Sequence, residues 1–188
     1  MQKALKEDKQ LIVDLLTQSF DGNKSVNYLL KQDYKRKLRL EVLMDYSFEI
    51  CSRFGEVYLS EDRKACALVL YPDQKKNTFR TVMLDLKLLL KGIGLRNVRK
   101  AINREEKLKK EYPQEPVYYL WFIGVSVQDQ GKGIGSRLLQ QLIQDSENQG
   151  RTICLETSTF ENVPFYQKFN LSIYRELDFG YPLFMMKR

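Results

Sequence analysis

Val117-Tyr118-Tyr119-Leu120-Trp121-Phe122-Ile123-Gly124-Val125-Ser126-Val127-Gln128-Asp129-Gln130-Gly131-Lys132-Gly133-Ile134-Gly135-Ser136 is the stretch that decides the fold. From Val117 to Val127 the residues are almost all aromatic, β-branched or aliphatic, so both faces are apolar and the segment predicts a central, buried strand. Gly124 interrupts it, and a glycine inside a strand marks a bulge or a close approach to the backbone. Gly131, Gly133 and Gly135 then alternate where strand gives way to helix, letting the backbone curl around a ligand without Cβ atoms in the way. The following helix, about Gly133 to Asn148, carries Ile134, Leu138, Leu139, Leu142 and Ile143 on one face. Its N-terminus offers unpaired amides and the positive end of the helix dipole, a cradle for phosphate or pyrophosphate, with Lys132 and Arg137 adding charge at the rim. A glycine-rich turn that only permits tight strand-to-helix packing fits the same three glycines.

Working outward, Thr152-Ile153-Cys154-Leu155-Glu156 reads as the next strand, giving a β-loop-α-β unit whose strands run parallel. A P-loop is excluded, because no Gly-x-x-x-x-Gly-Lys-Ser/Thr run exists. A dinucleotide fingerprint is closer, with Glu156 near the place of its acidic residue, but Ser136 replaces the last glycine. Only about 30 residues follow Glu156, too few for the further βα units of that fold. Asn162 to Phe169 predicts a short helix, and Leu171 to Leu177 and Pro182 to Lys187 two closing strands. Upstream, helices are predicted over Asp8 to Phe20, Lys24 to Gln32, and Tyr34 to Phe54, the last with Leu38, Val42, Met44, Tyr46, Phe48 and Ile50 as its apolar positions. Glu56 to Ser60 and Ala65 to Pro72 predict a hairpin. Thr78 to about Lys110 predicts two inserted helices broken at Gly92-Ile93-Gly94, bordering a substrate pocket or simply packing on the sheet. The charged run Asn103 to Glu111 reads as a solvated helix face.

With 188 residues, 43% hydrophobic, the chain suits one domain over residues 1–188. Cys51, Cys66 and Cys154 are odd in number and widely spaced, which disfavours a disulfide framework and points to a reducing, cytoplasmic setting. Met1 to Asp8 is charged where a signal peptide is apolar, and no apolar run approaches the roughly 20 residues of a membrane-crossing helix. There is no histidine. Ser-His and Cys-His nucleophiles are therefore impossible, no metal is expected, and acid–base work falls to carboxylate, tyrosine, lysine or water. The net charge of +7 suits a polyanionic partner, either nucleic acid or a phosphorylated cofactor.

Ile123 to Gly135 resembles the acetyl-CoA signature of the GNAT acetyltransferases, Gln/Arg-x-x-Gly-x-Gly/Ala. Leu155-Glu156-Thr157-Ser158-Thr159-Phe160-Glu161-Asn162-Val163-Pro164-Phe165-Tyr166-Gln167-Lys168-Phe169 is similar to the family's second motif, particularly in its puromycin N-acetyltransferase-like branch. Together the two cover roughly residues 117 to 175. The sequence departs from the pattern at Val127, often proline, and at Asn170, commonly glycine, although Asn tolerates the left-handed conformation such a turn needs.

The resemblance implies an α/β fold: a mixed, mostly antiparallel sheet with a parallel pair at the cofactor site, flanked by helices, with a helical insert before the central strand. It implies acetyl-CoA as co-substrate, its pyrophosphate on Gln130, Gly131, Lys132, Gly133, Ile134, Gly135 and Ser136. Pantetheine and acetyl group would lie along backbone at Val125, Ser126 and Val127, in a strand splayed open at Gly124, with Asn162 contacting the cofactor. Tyr166 would be the general acid for the departing thiolate, its hydroxyl protonated at neutral pH. Glu156 is the candidate base. The implied activity is N-acetylation of a small-molecule primary amine by direct attack in a ternary complex, with a homodimer allowed and no membrane partner. A non-catalytic acyl-CoA-binding or sensor domain, and less favourably a basic nucleic-acid-binding domain, are the alternatives.

Overall fold

The computed structural model describes residues 1–188. A two-residue edge strand, β1 (Gln2–Lys3), precedes helices α1 (Lys9–Ser19), α2 (Lys24–Leu29) and α3 (Arg36–Phe54), then the hairpin β2 (Gly55–Leu59) and β3 (Ala65–Leu70). The insert follows as α4 (Phe79–Lys87), prolonged by a π-helical turn over Leu88–Ile93, and α5 (Val98–Glu111). The remainder is β4 (Val117–Val125), α6 (Ile134–Asn148), β5 (Thr152–Thr157), α7 (Val163–Gln167), β6 (Ser172–Asp178) and β7 (Pro182–Lys187). No helix is long and apolar enough to cross a membrane.

The strands form one seven-stranded sheet in the order β1-β2-β3-β4-β5-β7-β6. Every neighbouring pair is antiparallel except β4 and β5, which are parallel, as a crossover through α6 requires. The mixed, mostly antiparallel α/β sheet with its one parallel pair is thus as expected. The apolar stripe of α6 is buried, and it covers one face together with Tyr118, Leu120, Ile153, Leu155 and Tyr166. Helices α1 and α3 and the π-helical turn cover the other face, against Leu68, Tyr119, Phe122 and Cys154. Leu38 is an exception to its predicted stripe, because it projects into solvent while Leu40 and Leu43 are buried.

The central strand differs from its sequence reading in two respects. It ends at Val125, and Val127 lies in a 3-10 turn over Val127–Asp129 with 53% of its surface exposed. Its irregularity sits at Trp121: Leu68 pairs with Phe122 but Val69 with Leu120, leaving Trp121 as the extra residue. Trp121 and Phe122 consequently both pack on the α1/α3 side. Gly124 stays paired with Cys66, and its lack of a side chain serves α1 instead. A Cβ there would stand 2.9 Å from Leu16 Cδ2 and 3.0 Å from Leu15 Cδ2.

Candidate active site

At the end of β4 the chain makes two left-handed turns, with φ of 77° at Gly131 and 76° at Gly133, and Gly133 is the N-cap of α6. No side chain caps this end, so the amides of Ile134, Gly135 and Ser136 begin the helix with no capping acceptor. No acidic residue lies in the first turn either. The cradle therefore favours an anion, as its spacing predicts. Its cations are partly engaged. Lys132 Nζ lies 2.8 Å and Lys64 Nζ 3.0 Å from Asp129 Oδ1, and these two ammonium groups hold the Asp129 carboxyl down at about 2.

Next to the cradle the sheet opens. β4 and β5 pair only over Val117–Tyr119 and Thr152–Cys154; beyond them β4 stays with β3 and β5 with β7. The Ser126 amide donates to the Lys64 carbonyl at 2.8 Å, which fixes the antiparallel alternation. Ile123 and Val125 accordingly turn their backbone N–H and C=O groups away from β3, into the wedge. The Val125 carbonyl is taken by the Ser19 hydroxyl at 2.9 Å and Gln130 Nε2 at 3.3 Å. Gln130 thus ties the loop to the strand end. Ser126 gives its amide to the hairpin and Val127 lies outside the strand, so of the three backbone positions expected along the cofactor Val125 alone faces the opening.

Tyr166 lies on the α6 side of the sheet, 7% exposed, one turn beyond the start of α7. Burial pushes its hydroxyl up to about 12. The oxygen makes no hydrogen bond within the chain, yet it is not among the sealed, unpaired polar atoms, so it retains contact with open space. Asn162 stands exposed at the N-cap of α7 and makes no capping bond, leaving its amide free for a ligand. Asn170, where glycine is commoner, takes φ 62°.

Glu156 points the other way, into a cavity of about 850 Å³ between the sheet and the helices of the N-terminal region and insert. Phe20, Tyr46, Trp121, Phe122 and Ser158 share its lining. Arg104 of α5 meets Glu156 there, Nη2 to Oε2 3.1 Å, and the Tyr112 hydroxyl stands 3.4 Å from Oε1. Burial raises the Glu156 pKa, with Arg104 pulling against it. Burial is the largest single influence on Arg104 and works against its charge, but Glu156 together with Tyr181 and Tyr119 outweighs it and keeps the guanidinium firmly protonated. The structure therefore gathers Gln130 to Ser136, Val125 and Tyr166 on one side of the sheet and places Glu156 on the other, with the β4/β5 wedge between.

Arg104 was not singled out in the sequence, where it sits in a run read as solvated. The signal was nonetheless present: Ala101, Arg104, Leu108 and Tyr112 recur at spacings of three, four and four, one helix stripe with a single charged member.

Residues 92–171 match the model of the acetyltransferase (GNAT) family. Among solved structures, the fold is similar to a histone acetyltransferase HPA2-related acetyltransferase from Corynebacterium glutamicum, with TM-score 0.73, 19% identity, and 99% of this chain and 93% of that one covered. The C-terminal condensation domain of Ebony in complex with beta-alanyl-dopamine gives TM-score 0.73 at 8% identity, covering 100% and 96%. Arylalkylamine N-acetyltransferase 2 from Aedes aegypti gives 0.64 at 14%, covering 100% and 96%. Fold and family match meet on one segment: residues 92–171, which match the acetyltransferase (GNAT) family model, carry the cradle, the wedge and the Asn162/Tyr166 helix, and the fold around them is similar to that of these solved structures over nearly the whole chain.

Proposed function

We propose that the protein transfers an acetyl group from acetyl-CoA to the primary amine of a small molecule, by direct attack in a ternary complex. The observation that carries this reading is the wedge, where β4 and β5 part between an anion cradle on one face of the sheet and a large cavity holding a carboxylate on the other. Coenzyme A fits the first face, with its pyrophosphate on the amides from Gln130 to Ser136, its pantetheine along Val125, and Asn162 beside it; bound there, it supplies an activated thioester. The free amides of Ile123 and Val125 face the wedge, where they can hydrogen-bond a carbonyl oxygen as charge develops on it. Tyr166, protonated throughout the neutral range, is the proton donor to the leaving thiolate. Glu156 takes the proton from an amine arriving through the cavity. The name of the arylalkylamine N-acetyltransferase accords with an amine acceptor.

The test is a thermal shift with acetyl-CoA followed by thiol release over a panel of amines, with puromycin included because Leu155 to Phe169 resembles the branch that modifies it. A stabilising shift with acceptor-dependent thiol release is the expected result. Binding without turnover of any amine would make the chain an acyl-CoA-binding domain, and no binding would remove the reading altogether.

A further inference from the structure

More than half of the residues around the cavity are apolar or aromatic, with Leu43, Tyr46, Trp121 and Phe122 prominent, and Lys75, Asp85, Glu105, Glu106 and Lys109 line the rest of it together with smaller polar groups. Into these walls are set two opposite charges side by side, Arg104 and Glu156, whose side chains are only 11% and 6% exposed. An ion pair removed from water is costly unless its remaining donors and acceptors are answered, and this pair is answered on one side only. A guanidinium has N–H donors on all three nitrogens. In Arg104, Nη2 serves Glu156 and the Ser25 hydroxyl at 2.9 Å, and Nε makes a long contact of 3.4 Å to the Tyr181 hydroxyl. Nη1 has no partner in the chain and is not sealed from open space. On the carboxylate, Oε1 has a 3.4 Å contact from the Tyr112 hydroxyl, and the Tyr119 hydroxyl also stands against the carboxylate. Two unanswered N–H donors thus stand beside a carboxylate oxygen with lone pairs to spare, close to the aromatic wall of Tyr46, Tyr119, Trp121 and Phe122 in a chamber of mixed lining.

A molecule that completes this arrangement carries a carboxylate and an ammonium on neighbouring atoms and a large apolar group beyond them. Resting on the transferase reading above, we propose that the acceptor is a free α-amino acid with a bulky apolar or aromatic side chain. Its carboxylate takes Arg104 Nη1 in a charge-assisted hydrogen bond, its amine lies at Glu156, and its side chain occupies the aromatic walls. The ammonium gives its first proton to Glu156 and thence to solvent. The neutral nitrogen then attacks the thioester carbonyl carbon, the C–N bond forms and the C–S bond breaks. The second proton lost by nitrogen balances the one gained by sulfur, so the products are an N-acetyl amino acid and a free thiol. Arg104 is on this account a residue that sets specificity through the carboxylate.

Thiol release from acetyl-CoA is measured with L-phenylalanine, L-tryptophan and L-leucine, each against its decarboxylated twin: phenethylamine, tryptamine and isoamylamine. The amino acid is expected to exceed its twin in kcat/KM by about 30-fold or more, the worth of a hydrogen bond to a buried charged group. Arg104→Gln is expected to bring that ratio close to one, and Arg104→Lys to restore part of it. The ratio is the readout because loss of Arg104 also alters Glu156 and so slows both substrates. If Arg104→Gln does not fold, the wild-type ratio and Arg104→Lys decide. Twins turned over as well as or better than the amino acids overturn the acceptor class and leave the transferase standing, as does an unchanged ratio in Arg104→Gln. Failure of every amine in the presence of bound acetyl-CoA overturns both.

Discussion

Glu156 and Tyr166 lie ten residues apart and face opposite sides of one sheet, so their substitutions carry different signatures. A base works ionised, and burial raises the Glu156 carboxyl above its ordinary value of about 4.3. The rate should therefore fall on the acid side with a midpoint above that value, and Glu156→Gln should lower kcat/KM and erase this limb; a profile unchanged in the variant removes Glu156 as the base. Tyr166 gives no basic limb near neutrality, because its hydroxyl stays protonated to about 12. Tyr166→Phe should lower kcat by about 100-fold or more, with the dissociation constant of acetyl-CoA and the melting temperature preserved, since no protein hydrogen bond is lost. An unaltered kcat takes the hydroxyl out of the reaction. Both residues could be picked out in the sequence because they sit in one compact segment. Arg104 is marked only by its helix stripe with Ala101 and Leu108, since its partner is 52 residues away and charged residues follow it directly in sequence.

At the scale of elements, two glycines in the decisive stretch do different work. Gly124 lets α1 lie close on the strand, and an added methyl would meet Leu15, Leu16 and Ser19. Gly124→Ala should cost about 1–3 kcal/mol through overpacking, read as a lowered midpoint in urea, and a midpoint equal to wild type would mean that α1 yields freely. Gly133 is held at φ 76°, where a side chain costs roughly 1–2 kcal/mol. Gly133→Ala should weaken acetyl-CoA binding in titration calorimetry, because relief of the strain turns the first amides of α6 away from the cradle; undiminished affinity would take this cap out of cofactor binding. Periodicity disclosed the helices, the β2/β3 hairpin and the two closing strands to within a few residues, since each pattern is local. Pairing is not local. The end of β4 was read two residues late because Val127 is as β-prone as its predecessors, while the bulge at Trp121 depends on the register with β3. The two-residue β1 has no pattern of its own and exists only by pairing with β2.

The whole sheet consists of a four-stranded and a three-stranded part that share only three residue pairs between β4 and β5. The parallel pair and the glycine turns that open α6 were legible from pattern and motif. The acceptor cavity was not, because α2 to α5, four strands and the loops between them each contribute from one to a few of its residues and no segment contains it. The division of the sheet has a consequence for binding. A cofactor lying in the wedge touches both parts and so resists their separation, whereas one held only by the cradle touches α6 and its loop. Acetyl-CoA at a hundred times its dissociation constant should stabilise the fold by about 2.7 kcal/mol in either case, so the melting temperature alone does not distinguish them. Amide hydrogen exchange does. The amides of Ile123 and Val125 point away from their β3 partners into the opening, and acetyl-CoA should slow their exchange together with that of the amides from Gly131 to Ser136. Protection confined to the loop would mean that the thioester does not reach the wedge, and the path from cradle to acceptor cavity would have to run elsewhere.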